Sequence, residues 1–493
     1  MQPIGSELYP SWRAALWSEP GLHDRATSPV PSERFLQQIW FHQRLQRDAL
    51  RTLDGRPLTI LHPGFWNHAA GPDFRQAVLQ FGDDAPCSGD VELDLRAAAW
   101  HQHGHDRNPA YAQVRLHVIW QGTPTNPADA KVPLPTLALA DVLDAPLDDL
   151  REWLGGEASH NLLTARTGAC APPLEQLPAT GLPTLLEQAA FTRLRLKADQ
   201  LAARARQAGW DQALWEAALG ALGYKQNVWP LRRLAELRES LLRDLPRDRA
   251  AAPELQARLF GLSGLLPDQL TRRWSTTDAW LRRAWDTWWR WRESAGPAVL
   301  PRSLWRFDGL RPANHPQRRL ALAAHWLADP DWTARSERWL AKDLADTALR
   351  PALLAELQPS EDPFWDHHWT LSSRPMSRPR PLLGEARITD LAMNAILPWL
   401  WSRARAGGNS ALCTRIEHRY RHWPAAADNA LLRLARQRLL AGRPLPRPTQ
   451  AIHQQGMLQI VRDFCDHANA LCDDCRFPEL VRPWAAASAA SGA

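Results

Sequence analysis

The sequence predicts an α+β fold class: a compact N-terminal α-β-β-β-α-β unit, then a large irregular all-α domain and a Cys-bearing tail. Three observations predict it. Segments in which apolar and polar residues alternate are confined to residues 56–120, where Gly, Pro and Asp punctuate them. From residue 183 to about 445 the chain runs in Leu/Ala/Arg-rich stretches with apolar residues three and four apart. Three of the six cysteines fall within residues 465–475. Alternation is the period of a strand, and the three-to-four spacing is that of an amphipathic helix.

Taken in order, residues 31–49 (PSERFLQQIWFHQRLQRDA) open a helix, with Ser32 as N-cap, Glu33 in the first turn, and Phe35, Ile39 and Leu45 as apolar residues among polar ones. RPLTILHPG, GPDFRQAVLQFG and SGDVELDL then read as three strands, with turns at Asp54-Gly55 and at GDDAP, residues 82–86. A His-rich helix or loop follows, and QVRLHVIW supplies the last strand, so the unit closes near residue 122. Residues 123–182 are Pro-rich and read as a linker wrapping the first domain, with a short helix near 147–155. Residues 183–445 form the helical domain, without a repeat of fixed period, and 446–493 the tail.

The chain has 493 residues, 45% hydrophobic and 23% charged, which excludes a mainly disordered protein and a small disulfide scaffold. No apolar run approaches twenty residues, and the start lacks a basic, then apolar leader, so a soluble cytoplasmic protein with no membrane partner is expected. The net charge of +6 rests almost wholly on arginine, because only Lys131, Lys197, Lys225 and Lys342 are lysines. Arginine suits bidentate phosphate contacts, so nucleic acid is a candidate partner, and an arginine bias from genome composition is the alternative. The 26 tryptophans, against 11 Phe and 4 Tyr, stack on bases or anchor packed helices, and anchoring is the commoner use.

The densest chemistry lies in GPDFRQAVLQFGDDAPCSGDVELDLRAAAWHQHGHD. If the two strands in it pair, Asp73 opens one, and Glu92 and Asp94 share a face of the next, with Val91, Leu93 and Leu95 turned to the core. Three converging carboxylates suit a hard divalent cation, Mg2+ or Mn2+, which generates hydroxide and stabilises charge at a phosphate. The motifs resemble the PD-(D/E)XK nuclease superfamily, with Glu33 on the first helix, Pro72-Asp73 as the PD and Glu92-Leu93-Asp94 as the (D/E)XK. The resemblance implies a restriction-endonuclease-like unit that cleaves nucleic acid, with Asp94 standing where the superfamily carries lysine. Arg96 or a histidine from the next segment would then take over the lysine's work.

In WHQHGHD the histidines His101, His103 and His105 alternate, and Asp106, Tyr111 and His117 follow. Histidines this dense bind a transition metal, act as acid or base, or form a polar helix entry. A zinc hydrolase built on His101, His103 and His117 is a distinct reading. Over most of its length the chain resembles the bacterial domain-of-unknown-function family 2851. Its landmarks here are ERFLQQIW, GPDFRQA, GDVELDLRAAAWHQHGHD, YAQVRLHV, GLRPANHPQRRLA, NAILPWL and the final cysteine motif.

Cys465, Cys472 and Cys475 form C-x6-C-x2-C, a spacing that wraps one metal or cluster. It resembles the first three ligands of the iron–sulfur loop of helix-hairpin-helix DNA glycosylases, but Val481 stands where the fourth would be. Cys413 or His467 is the expected fourth ligand, and the occupant is Zn2+ or a [4Fe–4S] cluster. Arg311 and Arg318, with Asn314 and Arg319, sit in a turn leading into a helix, as a phosphate contact or a packing motif. Asn394 and Pro398 read as a capped and kinked helix. The leading functional expectation is a metal-dependent nuclease, active or relic. The alternatives are a noncatalytic nucleic-acid-binding or scaffolding protein, and a zinc-dependent small-molecule hydrolase.

Overall fold

The computed structural model describes residues 8–17, 30–67, 70–122, 134–154, 166–223, 226–267, 275–295, 298–445, 449–466, 472 and 475–490. Six strands form one sheet: β1 (Leu58–His62), β2 (Phe65–Trp66), β3 (Phe74–Phe81), β4 (Cys87–Asp94), β5 (Val114–Ile119) and β6 (Thr136–Ala138). Their order is β1-β3-β4-β5-β6, with β2 beside β3. Pairs β1/β3, β2/β3 and β3/β4 are antiparallel, whereas β4/β5 and β5/β6 are parallel. The direction of pairing therefore changes at β4. A parallel pair needs a crossover between its strands, and residues 95–113, with the histidines, are that crossover.

Two helices precede the sheet, α1 (Leu8–Trp17) and α2 (Glu33–His42). The Ser32 side chain accepts from the Phe35 amide at 3.2 Å, capping α2 as the sequence predicts. The helix is shorter than expected: Gln43 takes a left-handed φ of 52° and stops it at His42. Phe35, Leu36, Ile39 and Trp40 are buried and form one core with Phe74, Leu79, Val91, Leu93, Leu116 and Val118 of the strands. Leu45 and Leu50 join that core from beyond the helix. Helix α1 lies elsewhere, against the helical region, where Tyr9 donates to Asp463 Oδ2 at 2.7 Å.

The Pro-rich segment contributes more structure than a linker would. It adds β6 to the sheet, then helix α3 (Leu147–Leu154) at the place expected, whose Leu150, Trp153 and Leu154 are buried in the same core. The Thr136 register opposite His117 is invisible in the sequence because three strand residues among prolines carry no alternation.

The helical region is organised on α4 (Gly181–Ala208), 28 residues long and buried on several sides. It packs on α1, on Trp210–Leu222, on Leu397–Ala406 and most heavily on Ala451–Ile460. That last contact is close: a Cβ on Gly456 would lie 2.1 Å from the Leu186 carbonyl oxygen, so only glycine fits. Two π-helical turns interrupt this bundle, Ala392–Ile396 and Val461–Asp466. The first precedes Pro398, whose missing N–H disrupts the α ladder, so the expected kink is met by a wider turn. Tryptophan serves mainly as anchor: Trp40, Trp215, Trp339, Trp365, Trp399 and Trp423 are fully buried. Trp289 is an exception at 54% exposure, with the Arg292 guanidinium over its ring. No described helix is long and apolar enough to cross a membrane.

Candidate metal centre at the strand ends

The register places Phe74 opposite Val91, which sets Asp73 across from Glu92. A bulge follows in β3, where Gln76 takes φ 58° and donates its amide to Asp90 Oδ1 at 3.1 Å. The Asp73 amide donates to Glu92 Oε2 at 3.0 Å, and Asp73 Oδ2 accepts from the Leu93 amide at 3.0 Å. Gln37 of α2 donates to Asp73 Oδ1 at 2.8 Å. Strand period turns Glu92 and Asp94 the same way. Both are buried, as are Val91 and Leu93 on the opposite face, because β4 lies in the middle of the sheet.

Asp94 faces the histidines. His117 Nε2 lies 2.9 Å from its Oδ2, and His103 Nδ1 lies 3.4 Å from its Oδ1. His105 Nδ1 is 3.6 Å from Glu92 Oε1, beyond hydrogen-bond reach, and is a buried nitrogen with no hydrogen-bond partner among the described residues. Asp94, His103 and His105 each offer one donor atom, and these lie within 4.8 Å of one another. Tyr111 stacks on His105 at 4.1 Å between ring centroids, and Trp100 stands edge-on to it at 5.3 Å. Apolar rings thus wall the imidazole side of the site.

The charges are poorly compensated. Burial raises Glu92 to about 9, with Asp73 adding to the shift and the Asp73 amide opposing it. Asp73 is raised to about 7 by burial, against the Leu93 amide. Glu33, at the rim, is raised by partial desolvation and then by Asp94, with His103 opposing. Burial lowers His105, partly offset by Asp94, and raises Tyr111, helped by Glu92. Among the described residues no Lys or Arg forms an ion pair with Glu33, Asp73, Glu92 or Asp94; their basic neighbours are histidines. Clustered carboxylates with imidazole beside them suit Mn2+, Fe2+ or Zn2+, and the carboxylates alone suit Mg2+.

The sequence-predicted residues divide. Glu33, Asp73, Glu92, Asp94 and His103 come together. His101 does not: its Nδ1 pairs with Asp106 at 3.4 Å. The crossover begins as a helical turn, Ala99–Gln102, in which residues two apart point to opposite sides. Gly104, at φ 71°, then redirects the chain and brings His105 in where His101 was expected. Arg96 is exposed just beyond the end of β4. Arg311 is exposed. Arg318 is a correction, because its guanidinium is buried and spent on backbone carbonyls: His368 at 2.9 Å, Arg380 at 2.7 Å, Pro381 at 3.0 Å, and Trp365. It ties the chain at 365–381 to its own helix and has no N–H on its two terminal nitrogens left for a phosphate. Arg319 and Arg387 both donate to Asn314, which makes the landmark around it a packing motif.

Cys413 is also corrected as a ligand. It packs against the large helical core beside Glu417 and Arg405. Cys170 instead accompanies the tail cysteines: it shares a buried cluster with Cys465, and Cys475 packs against that cluster. His467 lies outside the described residues. Sequence reading missed Cys170 because some 300 residues separate it from the tail. It also missed a second group, exposed Asp346 and His418 with half-buried His422, although histidines four apart on a helix are a legible sign.

No curated protein and no solved structure matches this chain. One family model, described as Protein of unknown function (DUF2851), matches residues 33–429, which take in α2, the whole sheet with its carboxylates and histidines, and most of the helical region. The chain belongs to that family.

Proposed function

We propose that this chain is a metal-dependent phosphodiesterase acting on nucleic acid, with its cation among Asp94, His103 and His105 and beside Asp73, Glu92 and Glu33. The observation that carries the reading is the gathering of four carboxylates, two of them buried, with no Lys or Arg ion pair among the described residues. Like charges in a low dielectric oppose ionisation unless a cation joins them. A bound Mn2+ or Mg2+ supplies a Lewis acid for the phosphate and acidifies water.

The chain's own residues do the rest. Asp73 is held at both oxygens, by the Leu93 amide and by Gln37, and Glu92 at one by the Asp73 amide, so both carboxylates are oriented without rotamer search. Asp94 orients His117 and His103. Trp100 and Tyr111 pack on His105, and Trp100 on His117 as well, and so hold these two imidazoles in place. Arg96 and Arg107, exposed around the crossover, supply charge for a phosphate backbone. The test is hydrolysis of single- and double-stranded DNA and RNA with Mn2+ or Mg2+. Cleavage that disappears in Glu92→Ala supports the reading. No cleavage of any of these, or cleavage that persists in that variant, overturns it, and salt-sensitive binding without cleavage favours a noncatalytic nucleic-acid-binding protein.

A second reading is a zinc-dependent hydrolase of a small molecule. The buried His105 nitrogen, without a hydrogen-bond partner among the described residues, favours it, since imidazole is a zinc ligand. Stoichiometric zinc, lost on His105→Ala and accompanied by ester hydrolysis without nuclease activity, would select it.

A further inference from the structure

We propose that Cys170, Cys465, Cys472 and Cys475 are the four ligands of an iron–sulfur cluster that fastens the tail to the helical body. The sequence offers three of these cysteines at C-x6-C-x2-C, and the fold brings the fourth from the start of the short helix Ala171–Glu175. The Ala169 amide donates to Cys472 Sγ at 3.4 Å, which sets the neighbour of Cys170 against the tail loop. The Cys475 amide donates to the Cys472 carbonyl at 3.2 Å, which holds these two cysteines close to each other. Cys465 comes from the π-helical turn Val461–Asp466. The packing agrees with this placement: Cys170 and Cys465 share one buried cluster, and Cys475 packs against it.

The surroundings suit a buried anionic metal group. Tyr9, Trp12, Phe464 and Phe477 pack in the same cluster as Cys170 and Cys465. Arg438, itself buried, donates to Cys472 Sγ at 3.5 Å, a charged hydrogen bond of the kind that stabilises thiolate ligands. No disulfide joins any of the described cysteines. All-thiolate donor sets select zinc or iron–sulfur clusters. A tetrahedral zinc with Zn–S of ~2.3 Å would set its sulphurs about 3.8 Å apart. An iron–sulfur core is larger and brings its own sulfide, so metal and sulfide content tell the two occupants apart.

The experiment is anaerobic purification of the full chain, with iron, zinc and acid-labile sulfide determined per chain, followed by visible absorbance before and after dithionite. The expected result is about four iron and four sulfide with absorbance that bleaches on reduction. Cys170→Ser should lower iron to roughly a tenth of wild type or less, since a ligand is lost, while Cys413→Ser keeps it. The composition of the wild-type chain decides the matter even if Cys170→Ser fails to fold. One zinc per chain without sulfide, no metal after reconstitution with iron and sulfide, or full iron in a folded Cys170→Ser variant would each overturn the proposal.

Discussion

Asp73 and Glu92 hold each other through the backbone: the Asp73 amide donates to the Glu92 carboxylate at 3.0 Å, while the Asp73 carboxylate accepts from the amide beside Glu92 at 3.0 Å. Each side chain spends one oxygen on this clasp. If the cation works beside it, Glu92→Ala lowers metal-dependent cleavage by roughly a thousandfold or more. Helical content, followed by circular dichroism, should remain that of the wild type.

The clasp also carries a pH dependence. Asp73 at about 7 and Glu92 at about 9 both stand above their ordinary carboxylate values, so the folded chain holds protons that the unfolded chain has released. Stability from these groups is complete below about pH 4 and is lost as pH rises through 7 to 9. Urea melts of metal-free protein at pH 5, 7 and 9 should show this decline. Added Mn2+ should flatten it, because the cation takes the place of the protons.

Histidine substitutions separate neighbours on the crossover. His103→Ala and His105→Ala should each weaken Mn2+ or Zn2+ binding by about ten- to a hundredfold, whereas His101→Ala, whose partner is Asp106, should leave it nearly unchanged. Titration calorimetry reads the difference, and equal losses in all three would contradict the assignment.

Arg318→Ala should damage stability and spare nucleic-acid binding. It leaves four carbonyls without their buried donor, at a cost of about 3–5 kcal/mol. The salt dependence of any DNA affinity should keep its slope, since no phosphate contact is lost.

Gly456→Ala tests the helix crossing. A methyl 2.1 Å from the Leu186 oxygen must push the two helices apart, and a loss of about 2–3 kcal/mol in chemical denaturation is expected.

The parts of this molecule that were legible in the sequence are those in which chemistry and periodicity coincide. Ser32 and Phe35 announce α2, and the alternation of Val91, Glu92, Leu93 and Asp94 announces β4. The turn and the alternation bring Asp73 near the end of β4, but its place across from Glu92 also needs the bulge at Gln76, since the unbroken Ala77–Gly89 register would set it across from Leu93. His105 was hidden because its position depends on Gly104 turning left-handed, a backbone choice that the spacing of histidines does not encode. Arg318 shows the opposite error: a basic residue at a helix start has the composition of a phosphate site, but burial against carbonyls decides its use. Cys170 and β6 were out of reach for a third reason, since both depend on contacts between distant stretches of chain.

The crossover between the two parallel strands has a thermodynamic corollary. His103 and His105 lie only nine and eleven residues beyond Asp94, and β4 and β5 already pin both ends of that stretch. An ion bridging them closes a loop whose entropy the sheet has largely spent. Little of its binding energy therefore goes into ordering the chain, and its departure leaves the cradle standing. If the site binds an ion as proposed, it should exchange that ion reversibly and take its occupancy from the metal concentration around it, where a structural zinc would take the fold with it.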